Sequence, residues 1–140
     1  MEESLILRYF PAQKQDIRSY SPLALAFIGD AVFSLVIRAI VLAGGNRPPE
    51  KLHRETSRYV CAGAQAAIGR ALQSLLTEEE RSVYRRGRNA NPNHKAKNAT
   101  EEEYMEATAL EALCGWLYLK EEQERLLELI REGMRLGGYL

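Results

Sequence analysis

The stretch Leu23-Ala24-Leu25-Ala26-Phe27-Ile28-Gly29-Asp30-Ala31-Val32-Phe33-Ser34-Leu35-Val36-Ile37 decides how the rest of the chain is read. It is almost wholly apolar and long enough to form a buried helix. Ser21-Pro22 in front of it is a helix start, with serine as N-cap and proline in the first helical position. Gly44-Gly45-Asn46 behind it is a stop, so a helix is predicted over about 22–43. In its middle stand Gly29 and Asp30. A glycine costs a helix interior about 1 kcal/mol relative to alanine. An ionised carboxylate in apolar surroundings costs several kcal/mol unless it is paired, protonated or given a cation. Two local rules are broken side by side, which marks a place to look for function.

The remaining segments are helical too. Pro48-Pro49-Glu50 restarts the chain, and Leu52, Glu55 and Tyr59 predict a short helix carrying His53, Arg54 and Arg58. From Tyr59 to Leu72 small residues recur at helical spacing and predict close helix packing. Thr77-Glu78-Glu79-Glu80 and Thr100-Glu101-Glu102-Glu103 are capping boxes, each opening a helix. The second of these helices, Tyr104 to about Leu119, is apolar on most faces yet contains Glu111. Asn89 to Ala99 is predicted as a loop. The last helix, about Glu121 to Leu136, is amphipathic and ends at Gly137-Gly138. Residues 1–20 are weakly patterned and predict an N-terminal arm, with 21–140 as one domain. No strand pattern or repeat is present, so the expected fold is all-α, a helical bundle.

The totals narrow the function. The chain has 140 residues, room for one domain with a sizeable core. Net charge is zero, so there is no global field to attract nucleic acid, and any such surface must come from local segregation. Cys61 and Cys114 read as reduced core residues of a cytoplasmic protein. The N-terminus is acidic and lacks the order of a signal peptide. Asp30 and Arg38 interrupt the longest apolar run, which argues against a membrane span.

Asp30 and Glu111 are the candidates for chemistry. Each alone is compatible with a structural ion pair or a backbone cap. Two of them in one small bundle would repel, and a divalent cation is the common remedy. Hard oxygen ligands favour Mg²⁺, with Mn²⁺ as a substitute, over zinc. The second signal is charge segregation. From Arg81 to Ala99 there are six basic residues, Arg81, Arg85, Arg86, Arg88, Lys95 and Lys97, and no acidic one. Guanidinium groups bind phosphate bidentately, so phosphate contact is one use; a solvated loop is the other. Aromatics are not interleaved, which fits backbone reading of a duplex better than base stacking. Together the two signals predict metal-assisted phosphodiester hydrolysis. His53 reads as a capping or packing residue that, with Arg54 and Arg58 beside it, could instead reach a phosphate. His94 falls in the loop and reads as solvated.

Leu25-Ala26-Phe27-Ile28-Gly29-Asp30-Ala31-Val32 resembles the signature helix of the ribonuclease III family, and Leu110-Glu111-Ala112-Leu113-Cys114-Gly115-Trp116-Leu117-Tyr118-Leu119 resembles its second catalytic helix. Leu52-His53, Ala64-Gln65-Ala66 and Arg86-Gly87-Arg88-Asn89-Ala90 resemble its mini-ribonuclease III branch. The resemblance implies a helical bundle of the ribonuclease III catalytic-domain type, with residues 21–140 as that domain. It implies a Mg²⁺-dependent endonuclease acting on double-stranded RNA as a homodimer. It further implies maturation of the ends of large-subunit (23S) ribosomal RNA precursor, with a ribosomal protein as a candidate partner. Asp30 and Glu111 would be the catalytic, metal-holding residues. Arg86, Arg88, Lys95, Lys97 and His53 would contact RNA. Leu23, Ala26 and Thr108 stand where the fuller family signature has further acidic residues, and the Thr108 hydroxyl is expected to orient a water in the site. The family's usual double-stranded-RNA-binding domain has no room in 140 residues, so affinity is expected to rest on phosphate contacts and to depend steeply on salt. The rival reading is a catalytically silent helical module that binds RNA in ribosome assembly. A third is an interaction protein with no nucleic acid.

Overall fold

A computed structural model describes residues 1–90 and 100–140 of the chain. Helix α1, Glu3–Tyr9, buries none of its residues; the Tyr118 hydroxyl donates to the Met1 carbonyl at 2.5 Å and ties the arm down. A 3-10 turn at Ile17–Ser19 leads into α2, Pro22–Ala43, and Ser21 caps it by accepting from the Ala24 amide at 3.1 Å. Helices α3, Pro49–Val60, and α4, Ala62–Ala71, follow. A second 3-10 turn at Gln73–Leu75 precedes α5, Glu78–Asn89. Helices α6, Glu101–Leu119, and α7, Gln123–Leu136, complete the bundle. Both predicted capping boxes form, Thr77 with Glu80 and Thr100 with Glu103. The interior of the predicted 89–99 loop, with His94, Lys95 and Lys97, lies outside the described residues.

Helix α6 is the axis of the bundle. It is buried from Glu106 through Leu110 and again from Ala112 through Tyr118. Helices α2, α4 and α5 pack around it, and α7 closes the core from the α4 side through Leu126, Leu129, Ile130 and Met134. The 23–37 stretch is only partly inside. Helix α2 buries one stripe, the adjacent Leu25 and Ala26 and then Gly29, Phe33, Ile37 and Val41 at intervals of three or four residues. Its other face leaves Leu23, Phe27 and Leu35 exposed, with Phe27 at 82%. Helix α2 has the length and apolarity of a membrane span, but its inner stripe packs on α6 and Asp30 and Arg38 break its outer face.

The predicted helix from Tyr59 to Leu72 is divided. Cys61 adopts an extended backbone, ψ 156°, and turns the chain between α3 and α4. Cys61 is therefore an exposed corner residue and not the core cysteine expected; Cys114 is buried as expected.

Candidate active site

Helices α2 and α6 cross backbone to backbone. A β-carbon on Gly29 would lie 1.7 Å from the Glu111 carbonyl oxygen, and one on Gly115 would lie 2.0 Å from the Leu25 carbonyl oxygen. The two glycines face each other's helices, and no alanine fits at either place. This is the physical reason for the glycine beside Asp30: removing both β-carbons lets the helices touch, and touching helices put Asp30 and Glu111 together. The two carboxyl groups come close enough to share a proton.

The electrostatic strain falls on Glu111. Burial pushes its carboxyl up to about 8; the Asp30 charge and the shared hydrogen bond push in the same direction, and the Gln65 amide works against them. Asp30 itself is exposed on the side of α2, so the desolvation foreseen for it belongs to its partner. The third member of the group is Gln65 on α4, which the chemical reading of the sequence did not single out. It is 4% exposed, its Nε2 donates to the Val60 carbonyl at 2.9 Å, and its Oε1 is buried without a hydrogen-bond partner. Behind the pair lies the Cys114 thiol, held far above its ordinary range by burial and then by the Glu111 charge.

The donor set suits a hard dication. Two carboxyls that share a proton would both ionise beside a cation, and carboxylate oxygens are hard ligands. Among the described residues no group of three or more His, Cys, Asp or Glu gathers. Mg²⁺, which keeps several of its waters, fits so small a protein contribution better than a metal that demands a full protein cage. Leu23, Ala26 and Thr108 add no carboxylate. The Thr108 hydroxyl is buried and donates to the Tyr104 carbonyl at 3.0 Å, so it is engaged within its own helix and not turned to a water as expected.

The basic residues divide. Arg86 is exposed, makes no ion pair among the described residues, and lines a cleft with Tyr20, Leu25, Ser82 and Trp116 on the α5 side of the same crossing. Arg88 departs from the expectation of a phosphate contact. Its Nε donates to Glu106 at 2.6 Å and its Nη2 to Glu102 at 3.3 Å, and the buried Tyr84 hydroxyl donates to the same Glu106. The Arg88 guanidinium thus pins α5 to α6. His53 is exposed on α3 and neither caps nor packs. Of its neighbours, Arg54 reaches Glu50 at 3.4 Å and Arg58 lies 5.5 Å over the Tyr59 ring.

Residues 23–122, from the start of α2 to just past α6, match the ribonuclease III domain. The chain belongs to the ribonuclease III family. That makes it an endoribonuclease, in a family that acts on double-stranded RNA. Among its ribonuclease III relatives, a protein of Thermoanaerobacter sp. named Mini-ribonuclease 3 is 48% identical over 117 residues, 84% of this chain and 82% of the relative. A Mini-ribonuclease 3 of Brevibacillus brevis is 44% identical over 116 residues, 83% of this chain and 87% of the relative. The crystal structure of a Fusobacterium nucleatum protein superposes with a TM-score of 0.76 at 38% identity, covering 85% of this chain and 96% of that one.

Proposed function

We propose that this ribonuclease III domain is a Mg²⁺-dependent endonuclease that cleaves double-stranded RNA at a site built on Asp30 and Glu111. The observation that carries this reading is the carboxyl pair brought together by the Gly29–Gly115 crossing. Asp30 and Glu111 would hold the cation, with Mn²⁺ able to substitute. When bound there, Mg²⁺ supplies an activated water and stabilises charge on the phosphoryl and leaving oxygens. Glu111 gives up its proton to make the site; its raised pKa opposes that loss near neutrality, and a cation held by the pair would offset it. Arg86, on the α5 side of the crossing, would hold a backbone phosphate with its two-pronged guanidinium. His53, Lys95 and Lys97 are the further residues proposed to contact RNA. Arg88 serves it indirectly, by fixing α5.

The exposed apolar face of α2, centred on Phe27, supports a homodimer in which each copy supplies one site to the duplex. The proposed substrate is large-subunit ribosomal RNA precursor in the cytoplasm, which is what the resemblance to the mini branch implies. A ribosomal protein bound to that RNA is the partner proposed with it.

The test is incubation of the protein with a perfectly paired RNA duplex in Mg²⁺ or in EDTA, beside Asp30→Asn. Expected is cleavage that needs the metal and disappears in the variant. Cleavage that persists in Asp30→Asn overturns the assignment of the site.

A further inference from the structure

Helix α4 begins with a run of small residues, Ala62-Gly63-Ala64-Gln65-Ala66-Ala67, in which Gln65 is the one long side chain. Burying an unpaired amide costs roughly 1–3 kcal/mol, so its position calls for a reason. Part of the reason is the α3–α4 corner. Val60 ends α3, its carbonyl lacks a helical partner, and the Gln65 Nε2 satisfies it at 2.9 Å. That bond uses one amide hydrogen and settles which way the amide faces. It leaves the other hydrogen for Glu111, against which the amide lies, and it leaves Oε1 dry. A corner pin alone would need neither feature.

We propose that Gln65 is a positioning residue of the carboxylate site: anchored on the Val60 carbonyl, its amide holds Glu111 in place beside Asp30, and its Oε1 is an acceptor for a water held in the site. This rests on the reading that Asp30 and Glu111 bind a divalent cation. It makes α4 a part of the site, joined through Val60 to the end of α3. Groups that orient a metal's ligands commonly change affinity by about 10- to 100-fold when removed.

The test is Mn²⁺ binding to the RNA-free protein, read by electron paramagnetic resonance, for wild type, Gln65→Met, Glu111→Gln and the double variant. Methionine keeps the volume and removes the amide. The expected result is roughly tenfold weaker Mn²⁺ binding in Gln65→Met, with the double variant no weaker than Glu111→Gln alone. Wild-type affinity in Gln65→Met, with only a lower melting temperature, overturns the proposal and leaves a corner pin. Independent, additive effects overturn it as well. Mn²⁺ binding that is absent in wild type, or unchanged in Glu111→Gln, overturns the metal reading and the role of Gln65 with it. A second measurement needs no Gln65 variant. Mg²⁺ should move the Gln65 side-chain amide resonances in wild type and leave them in place in Glu111→Gln; resonances that stay fixed in wild type again overturn the proposal.

Discussion

Glu111 keeps its proton further up the pH scale than an ordinary carboxyl because burial and the Asp30 charge both oppose its ionisation. The sign of the consequence for stability follows. In the unfolded chain the group ionises near 4.5, and in the folded chain at about 8. Between those values the folded state binds more protons, so stability is fully present below about 4.5 and is lost as pH rises to about 8. Urea unfolding in EDTA should show wild type weakening across that window, while Glu111→Gln, with no proton to lose, stays flatter. Mg²⁺ should restore wild type at the alkaline end and do nothing for the variant. A wild-type curve parallel to that of Glu111→Gln would remove the strained carboxyl from the account. Asp30 and Glu111 were legible in the sequence because a carboxylate inside an apolar run breaks a rule that needs no structure to state. Gln65 was not, because a neutral amide breaks no such rule and its burial depends on the corner at Cys61. Arg88 was misread for a related reason: the basic run is visible in one segment, whereas its partners Glu102 and Glu106 stand on another helix.

At the scale of the elements, helix starts were legible from Ser21, Thr77 and Thr100, since a cap is a local bond within three residues. The exact place of the break at Cys61 was not, because the sequence puts the boundary at Tyr59 and no glycine or proline marks the corner. Nor was the meaning of Gly29, which depends on the α6 backbone opposite. A β-carbon there meets a carbonyl oxygen at 1.7 Å, and no side chain can yield. Gly29→Ala should therefore destabilise by about 3 kcal/mol in urea unfolding and abolish cleavage by parting α2 from α6. Gly63 is the control. A β-carbon there meets only the end of the Glu103 side chain at 3.0 Å, and Gly63→Ala should stay within about 1 kcal/mol of wild type. The two arginines of α5 separate in the same way. Arg88→Ala strands the buried Glu106 and should cost about 3 kcal/mol of stability. Arg86→Ala should leave stability within about 0.5 kcal/mol and lower the salt slope of RNA binding by about one. Equal stability losses in the two variants would contradict the division of roles drawn from their contacts.

For the whole molecule, the all-helical bundle was legible, but its centre was misplaced. Residues 23–37 are apolar on more sides than one small core needs, and a single chain uses one stripe of α2 and leaves Leu23, Phe27 and Leu35 outside. Next to that face the groove between α2 and α7 is also apolar, lined by Ile28, Val32, Val36, Leu126 and Leu127. Exposed apolar area of this extent, on the helix that carries Asp30, argues for a partner surface more than for solvent. A second copy covering it would place two carboxylate sites in one particle, which suits a substrate with two strands. The expectation is specific. Sedimentation velocity should find wild type as a dimer and Phe27→Asp as a monomer with unchanged helix content. Leu75→Asp, an exposed apolar position in the turn before α5, should leave the dimer intact. A Phe27→Asp protein that sediments with wild type would move the interface elsewhere. Because Asp30 and Glu111 of one site come from one chain, the monomer should retain Mn²⁺ binding there while losing paired cleavage of a duplex, so dimerisation and metal binding can be scored separately on one variant.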